Sequence, residues 1–140
     1  MTTYHEWIEL YNNSNQTINL SGWTLKSDDG TPEINLEKEI IAGGFYLLER
    51  TDDDTLPAII ADQIFVGALE NNGEDFKIFD NSGKLIDSVA CGEGWFAGDS
   101  ETEQTMERMN PFLSGSNPEN WASSLDPGGT PKNQNSQFLQ

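Results

Sequence analysis

The chain has 140 residues, 35% hydrophobic and 10% aromatic, which is enough for one domain around one core. Seven Lys and Arg against 24 Asp and Glu give a formal charge of −17, spread along the whole chain and not gathered into an acidic tail. Such a field excludes docking on a phosphate backbone, which needs a basic footprint, and it opposes approach to an anionic membrane surface.

In chain order, Trp7-Ile8-Glu9-Leu10-Tyr11 alternates with period two, which puts Ile8 and Leu10 on one face and Trp7 on the other. Asn12-Asn13-Ser14-Asn15 is a turn cluster, because Asn tolerates positive φ and bonds its own backbone. Thr17-Ile18-Asn19-Leu20 alternates again, Ser21-Gly22 breaks the chain, and Trp23-Thr24-Leu25-Lys26 resumes it, with Trp23 expected in the core. Residues 33–41 admit a short helix, although the helical pattern does not persist. Ala42-Gly43-Gly44 leads into Phe45-Tyr46-Leu47-Leu48-Glu49-Arg50, whose continuous apolarity predicts a covered strand. A longer loop begins at Asp52-Asp53-Asp54, and Ile64-Phe65-Val66 is a short strand. Residues 75–80 and 84–90 form the clearest hairpin signal of the chain, joined by Asn81-Ser82-Gly83. Residues 105–109 make a last strand. Beyond 110 the chain turns to Pro, Gly, Ser and Asn, which predicts irregular structure pinned by Trp121. About seven to eight short strands at this spacing predict an all-β sandwich or barrel.

Several of these segments together resemble the lamin tail domain, a family shared by nuclear lamins and by bacterial surface and secreted proteins. Glu6-Trp7-Ile8-Glu9-Leu10-Tyr11-Asn12 is similar to the opening motif of the family, and Leu20-Ser21-Gly22-Trp23-Thr24-Leu25 to its second. Ile41-Ala42-Gly43-Gly44-Phe45-Tyr46-Leu47 resembles the next, with Ala42 in place of the usual proline. The stretches 69–74 and 80–89 resemble its hairpin, and Met106-Glu107-Arg108 and Asn120-Trp121 its close. The resemblance covers roughly residues 6–133, in its bacterial form. It implies an immunoglobulin-like β-sandwich over residues 1–132, a flexible tail over 133–140, no enzymatic activity, and an accessory role in a secreted or cell-surface protein. Family members begin with a strand ahead of the opening motif. Only Met1 to His5 stand there in this chain, so a truncated edge is expected, open to another chain and suited to a homodimer. The chromatin role of lamins does not carry over, because the basic surface is missing.

The candidate sites follow from residue type. Trp95 and Phe96 lie in a Gly-rich loop, Gly92-Glu93-Gly94-Trp95-Phe96-Ala97-Gly98, and with Trp7 they are the aromatic candidates for contact with a protein partner or a sugar. For Trp95 and Phe96 the alternative is a loop folded back onto the core. Asp52, Asp53 and Asp54 are the candidate ligands for calcium, a hard cation that takes carboxylate oxygens. The EF-hand spacing fails there, since Gln63 occupies the twelfth position, and a charged turn is the simpler reading. No cofactor is expected otherwise. Asp28 has Glu39 at its twelfth position, but Gly30 and Pro32 stand between them. Arg50 and Arg108 each adjoin a Glu and are read as members of structural ion pairs. Three Asn-x-Ser/Thr triplets start at Asn12, Asn15 and Asn19.

Cys91 is the single cysteine, so no intrachain disulfide forms, and it is read as a small buried apolar residue. No His pair, Gly-x-Ser-x-Gly, phosphate loop or Cys cluster points to catalysis. No stretch approaches 18 apolar residues, so membrane insertion is not expected. The reading is a non-catalytic protein-binding or scaffolding module cut from a larger protein. The alternatives are a carbohydrate-binding module and an edge-pairing dimerisation unit.

Overall fold

The structure, a computed structural model, describes residues 6–51, 59–70, 72–99 and 101–138. Among them are eleven short strands: β1 (Trp7–Tyr11), β2 (Ile18–Asn19), β3 (Thr24–Ser27), β4 (Glu33–Asn35), β5 (Glu39–Ile40), β6 (Phe45–Arg50), β7 (Gln63–Phe65), β8 (Asp75–Phe79), β9 (Leu85–Ala90), β10 (Met106–Arg108) and β11 (Trp121–Ser123). One sheet has the order β1-β6-β7 and the other β4-β3-β8-β9, and β2-β5 and β10-β11 form two small pairs. All pairings are antiparallel except β6 with β7.

The two main sheets face each other across one core, which makes the chain an all-β sandwich of the immunoglobulin-like kind. Leu25, Ile34 and Ile78 enter the core from one sheet, and Tyr46, Leu48 and Phe65 from the other. Leu20, Leu36 and Ile40 close its end. Ile8, Leu10, Trp23 and Phe76 pack against this cluster but are only partly buried. Trp23 therefore joins the core at its margin. In β6 the outer face is covered as well, since Leu47 and Glu49 are fully buried. That explains the unbroken apolar run read from the sequence.

The 81–83 turn forms as its residues dictate. The Asp80 carboxylate accepts N–H bonds from Ser82 at 2.9 Å and Lys84 at 3.0 Å, and Gly83 takes φ +85°. These bonds hold the Asp80 carboxyl below its ordinary pKa, the Ser82 side chain contributing most. Two expectations need correction. Residues 33–41 form β4 and β5, not a helix: Ile34, Leu36 and Ile40 are buried while Glu33, Asn35 and Glu39 are exposed, a period of two, and Lys38 breaks the run at φ 66°. The stretch after 110 contains a 3-10 turn at Pro118–Asn120 and the strand β11. Trp121 does pin it, through an indole N–H donated to Gly115 O at 2.7 Å. Residues 133–138 run back along β10, where the Ser136 hydroxyl and the Gln137 amide donate to Glu107 Oε1 at 2.9 and 3.0 Å. No described helix is long and apolar enough to cross a membrane.

Candidate functional site

β1 is the outer strand of its sheet. Arg50 N–H donates to Glu6 O at 2.9 Å and Asn12 N–H to Gly44 O at 3.0 Å, which fixes the phase of the ladder. In an antiparallel pair, alternate residues point their peptide groups at the partner strand. The even-numbered residues of β1 therefore bond β6, and Trp7, Glu9 and Tyr11 turn their N–H and C=O outward. No described residue pairs with that row.

β10 shows the same arrangement in mirror. Ser124 N–H donates to Thr105 O and Met109 N–H to Asn120 O, at 2.9 and 2.8 Å, so the odd-numbered residues bond β11. Met106 and Arg108 face away. Of their peptide groups only Arg108 C=O has a partner among the described residues, the Asn135 side-chain amide at 2.9 Å.

A cleft of about 1960 Å³ lies along these two rows. All of β1 and β10 line it, with Ile86 to Val89 of β9, and it reaches inward to Leu20, Leu25, Ile40 and Ile78 of the core. The sandwich is thus open on this flank, which is why Ile8, Leu10 and Phe76 are incompletely buried. The volume is about twice the upper end of the usual range for small-molecule pockets.

The cleft is acidic. Eight carboxylates line it, Glu6, Glu9, Glu70, Asp87, Asp99, Glu101, Glu103 and Glu107, against Lys77 and Arg108. Both bases are already engaged: Lys77 with Asp28 at 2.8 Å and Arg108 with Asp87 at 2.6 Å. Arg50 pairs with Glu6 at 2.8 Å. Each arginine thus finds an acid from another strand or segment. Burial pushes the Glu9 carboxyl up to about 7, against the opposing pull of the Lys132 amide and ammonium.

The residues singled out in the sequence are dispersed. Trp7 and Trp95 both line the cleft, whereas Phe96 is not among its lining residues. Trp95 is half-buried, stacked on Phe76 with centroids 6.4 Å apart, and its indole N–H donates to Glu70 O at 2.9 Å. Asp52, Asp53 and Asp54 lie outside the described residues. Among the described residues no group of three or more His, Cys, Asp or Glu side chains is placed to hold a metal. Asp28 is taken by Lys77, and Glu39 sits in β5. Cys91 is fully buried, and burial raises its thiol pKa away from the reactive thiolate. Sequence reasoning did not single out Glu9 or the β10 edge. The sequence signal for Glu9 was its place between Trp7 and Tyr11 on the face opposite the core.

A family model described as the lamin tail domain matches residues 1–93 of this chain. Comparison with curated proteins found no match. The matched segment carries β1 through β9, the first wall of the cleft, and β10 follows it.

Proposed function

The chain belongs to the lamin tail domain family, and we propose that it is a non-catalytic protein-binding module of a larger secreted or surface protein, which takes up an extended segment of its partner along β1. The family is one of immunoglobulin-like, non-enzymatic domains used for protein interaction and structure. The observation that carries the finer reading is the outward row of peptide groups at Trp7, Glu9 and Tyr11, left without partners among the described residues. Backbone N–H and C=O groups are obligatory hydrogen-bonding groups, and an unpaired sheet edge is a template for another strand. Strand addition uses such an edge for affinity and reads alternate side chains for specificity.

The test is amide hydrogen exchange of the labelled chain, read with and without synthetic ten-residue peptides in which Val alternates with Lys, Thr or Glu. Strand addition slows exchange at Trp7, Glu9 and Tyr11 with at least one peptide. Unchanged exchange at all three with every peptide rejects the reading. Tyr11→Pro removes one outward donor without touching the β6 ladder, where Pro is tolerated on an edge. It is expected to fold and to lose the protection.

A further inference from the structure

The two walls of the cleft make a demand that a single exposed edge does not. A strand has two edges. The rows at Trp7, Glu9 and Tyr11 and at Met106 and Arg108 belong to strands that are not neighbours in any sheet, with one cleft running along both. We propose that the occupant is one extended segment of a partner protein, apolar on its inward side and basic overall, which hydrogen-bonds to β1 and β10 at once. This rests on the strand-addition reading above and adds the second wall and the chemistry of the segment.

Each part of the proposal has its own observation. The inward side is apolar because the floor is: Ile8, Leu10, Phe76 and Ile78 line the cleft, and the first three are only partly buried. Side chains of a strand alternate between faces, so every second residue of the occupant meets that floor. The occupant is basic because the cleft stays acidic after its own ion pairs are made: Glu6 and Asp87 are matched by Arg50 and Arg108, and Glu70, Asp99, Glu101, Glu103 and Glu107 are matched by no Lys or Arg among the described residues. A second copy of the chain would bring another charge of −17 to an acidic cleft, so like-charge repulsion disfavours self-pairing. Two further polar atoms on lining residues, Glu107 Oε2 and Thr130 Oγ1, are buried without a partner among the described residues. Native structures rarely leave such atoms unpaired, and their presence here fits a site shaped for a polar backbone.

The experiment extends the exchange series. The peptide of alternating Val and Lys is expected to bind at least tenfold more tightly than Val-Thr, to slow exchange at Met106 and Arg108 together with Trp7, Glu9 and Tyr11, and to weaken as salt is added. Two controls are a Gly-Lys peptide of equal charge and the Val-Glu peptide, and neither is expected to protect these amides. Met106→Pro, which removes one outward donor of β10, should cost tenfold or more in affinity for Val-Lys. Exchange on the unmodified chain decides the matter if that variant does not fold. Protection confined to β1 overturns the two-walled site while leaving strand addition standing. Equal binding of Val-Glu overturns the basic occupant, and equal protection by Gly-Lys overturns the apolar side. A free chain that dimerises with the same amides protected assigns the cleft to a second copy and overturns the proposal. Protection at neither wall with any peptide removes strand addition itself.

Discussion

The Glu9 carboxylate accepts the backbone N–H of Lys132 at 2.6 Å, across 123 residues of chain. Lys132 extends its ammonium the other way, to Phe45 O at 2.9 Å and to the Asp62 carboxylate at 2.5 Å. One residue near the end of the chain therefore ties β1, β6 and the approach to β7 into a single body, on the face away from the core.

Stability should depend on the protonation of Glu9. Its carboxyl is raised from 4.5 to about 7, chiefly by burial. A group whose pKa is higher folded than unfolded contributes stability that is fully present below 4.5 and lost as the pH rises through 7. At about 1.4 kcal/mol per pH unit the span is worth roughly 3 kcal/mol. Glu9→Gln keeps an acceptor for Lys132 and removes the titration. The unfolding midpoint of the variant should pull ahead of the parent between pH 4.5 and 7 and stay ahead above that. A difference between the two profiles that is constant across this window would refute the assignment.

Asn12 should be costly to replace. It is 3% exposed, and its side-chain amide donates to Gln16 O at 2.7 Å, Ile40 O at 3.0 Å and Ile41 O at 3.1 Å. Its Oδ1 accepts from Ser14 N–H at 3.0 Å. Asn12→Ala removes a buried donor shared by three carbonyls, leaving Gln16 O to the Ser14 hydroxyl and Ile41 O to the Gly44 N–H, and it is expected to cost about 3 kcal/mol in urea denaturation. The same bonds make the Asn12-Asn13-Ser14 triplet a poor glycan acceptor. Expression in a glycosylating host should leave Asn12 unmodified, which peptide mass spectrometry checks.

Two glycines with positive φ should respond differently to Ala. Gly73 lies at φ +104°, and an added Cβ there would collide with Cys91 O and stand 2.9 Å from Gly94 Cα. Gly83, at φ +85°, has open space around it. Gly83→Ala pays only for the left-handed backbone, about 1 kcal/mol. Gly73→Ala adds a clash with backbone and is expected to lose at least about 2 kcal/mol more. Equal midpoints for the two variants in thermal melts would contradict the packing of the 91–94 turn against residue 73.

Cys91 should report opening of the sheet. It is fully buried, and its N–H donates to Glu74 O at 3.0 Å. A thiol reagent at pH 8 is expected to label it at least about 100-fold more slowly in the native chain than in urea. Comparable rates would show that the β8-β9 end is open in the folded state.

The alternation in β1, the covered run of β6 and the hairpin of β8 and β9 were all legible, because each depends on residues close in sequence. The strands β4 and β5 were not. They are three and two residues long, and a segment of Glu, Lys and scattered apolar residues looks helical until Ile34 and Leu36 are seen sharing one face. The ion pairs show the same limit. Arg50 and Arg108 were expected to be structural, and they are paired, but with Glu6 and Asp87, which lie 44 and 21 residues away. The cleft was hidden for a related reason. Trp7 and Trp95 stood out as large aromatics, yet they stand 88 positions apart and only the fold brings them to one opening, where the Glu9 carboxyl meets the backbone of residue 132.

The bond between residues 9 and 132 also sets a clock. Translation adds about 5–20 residues per second, so β1 waits roughly 6–25 s after its own synthesis for the segment that anchors it. During that wait neighbouring nascent chains on one messenger hold β1 without its anchor, at high local concentration. The acidic residues are spread along the whole sequence, so each emerging stretch carries its share of repulsion from the start. The charge of −17 is in this light at work before folding ends, opposing edge-to-edge contact between siblings in the unfinished chain as it does in the folded one.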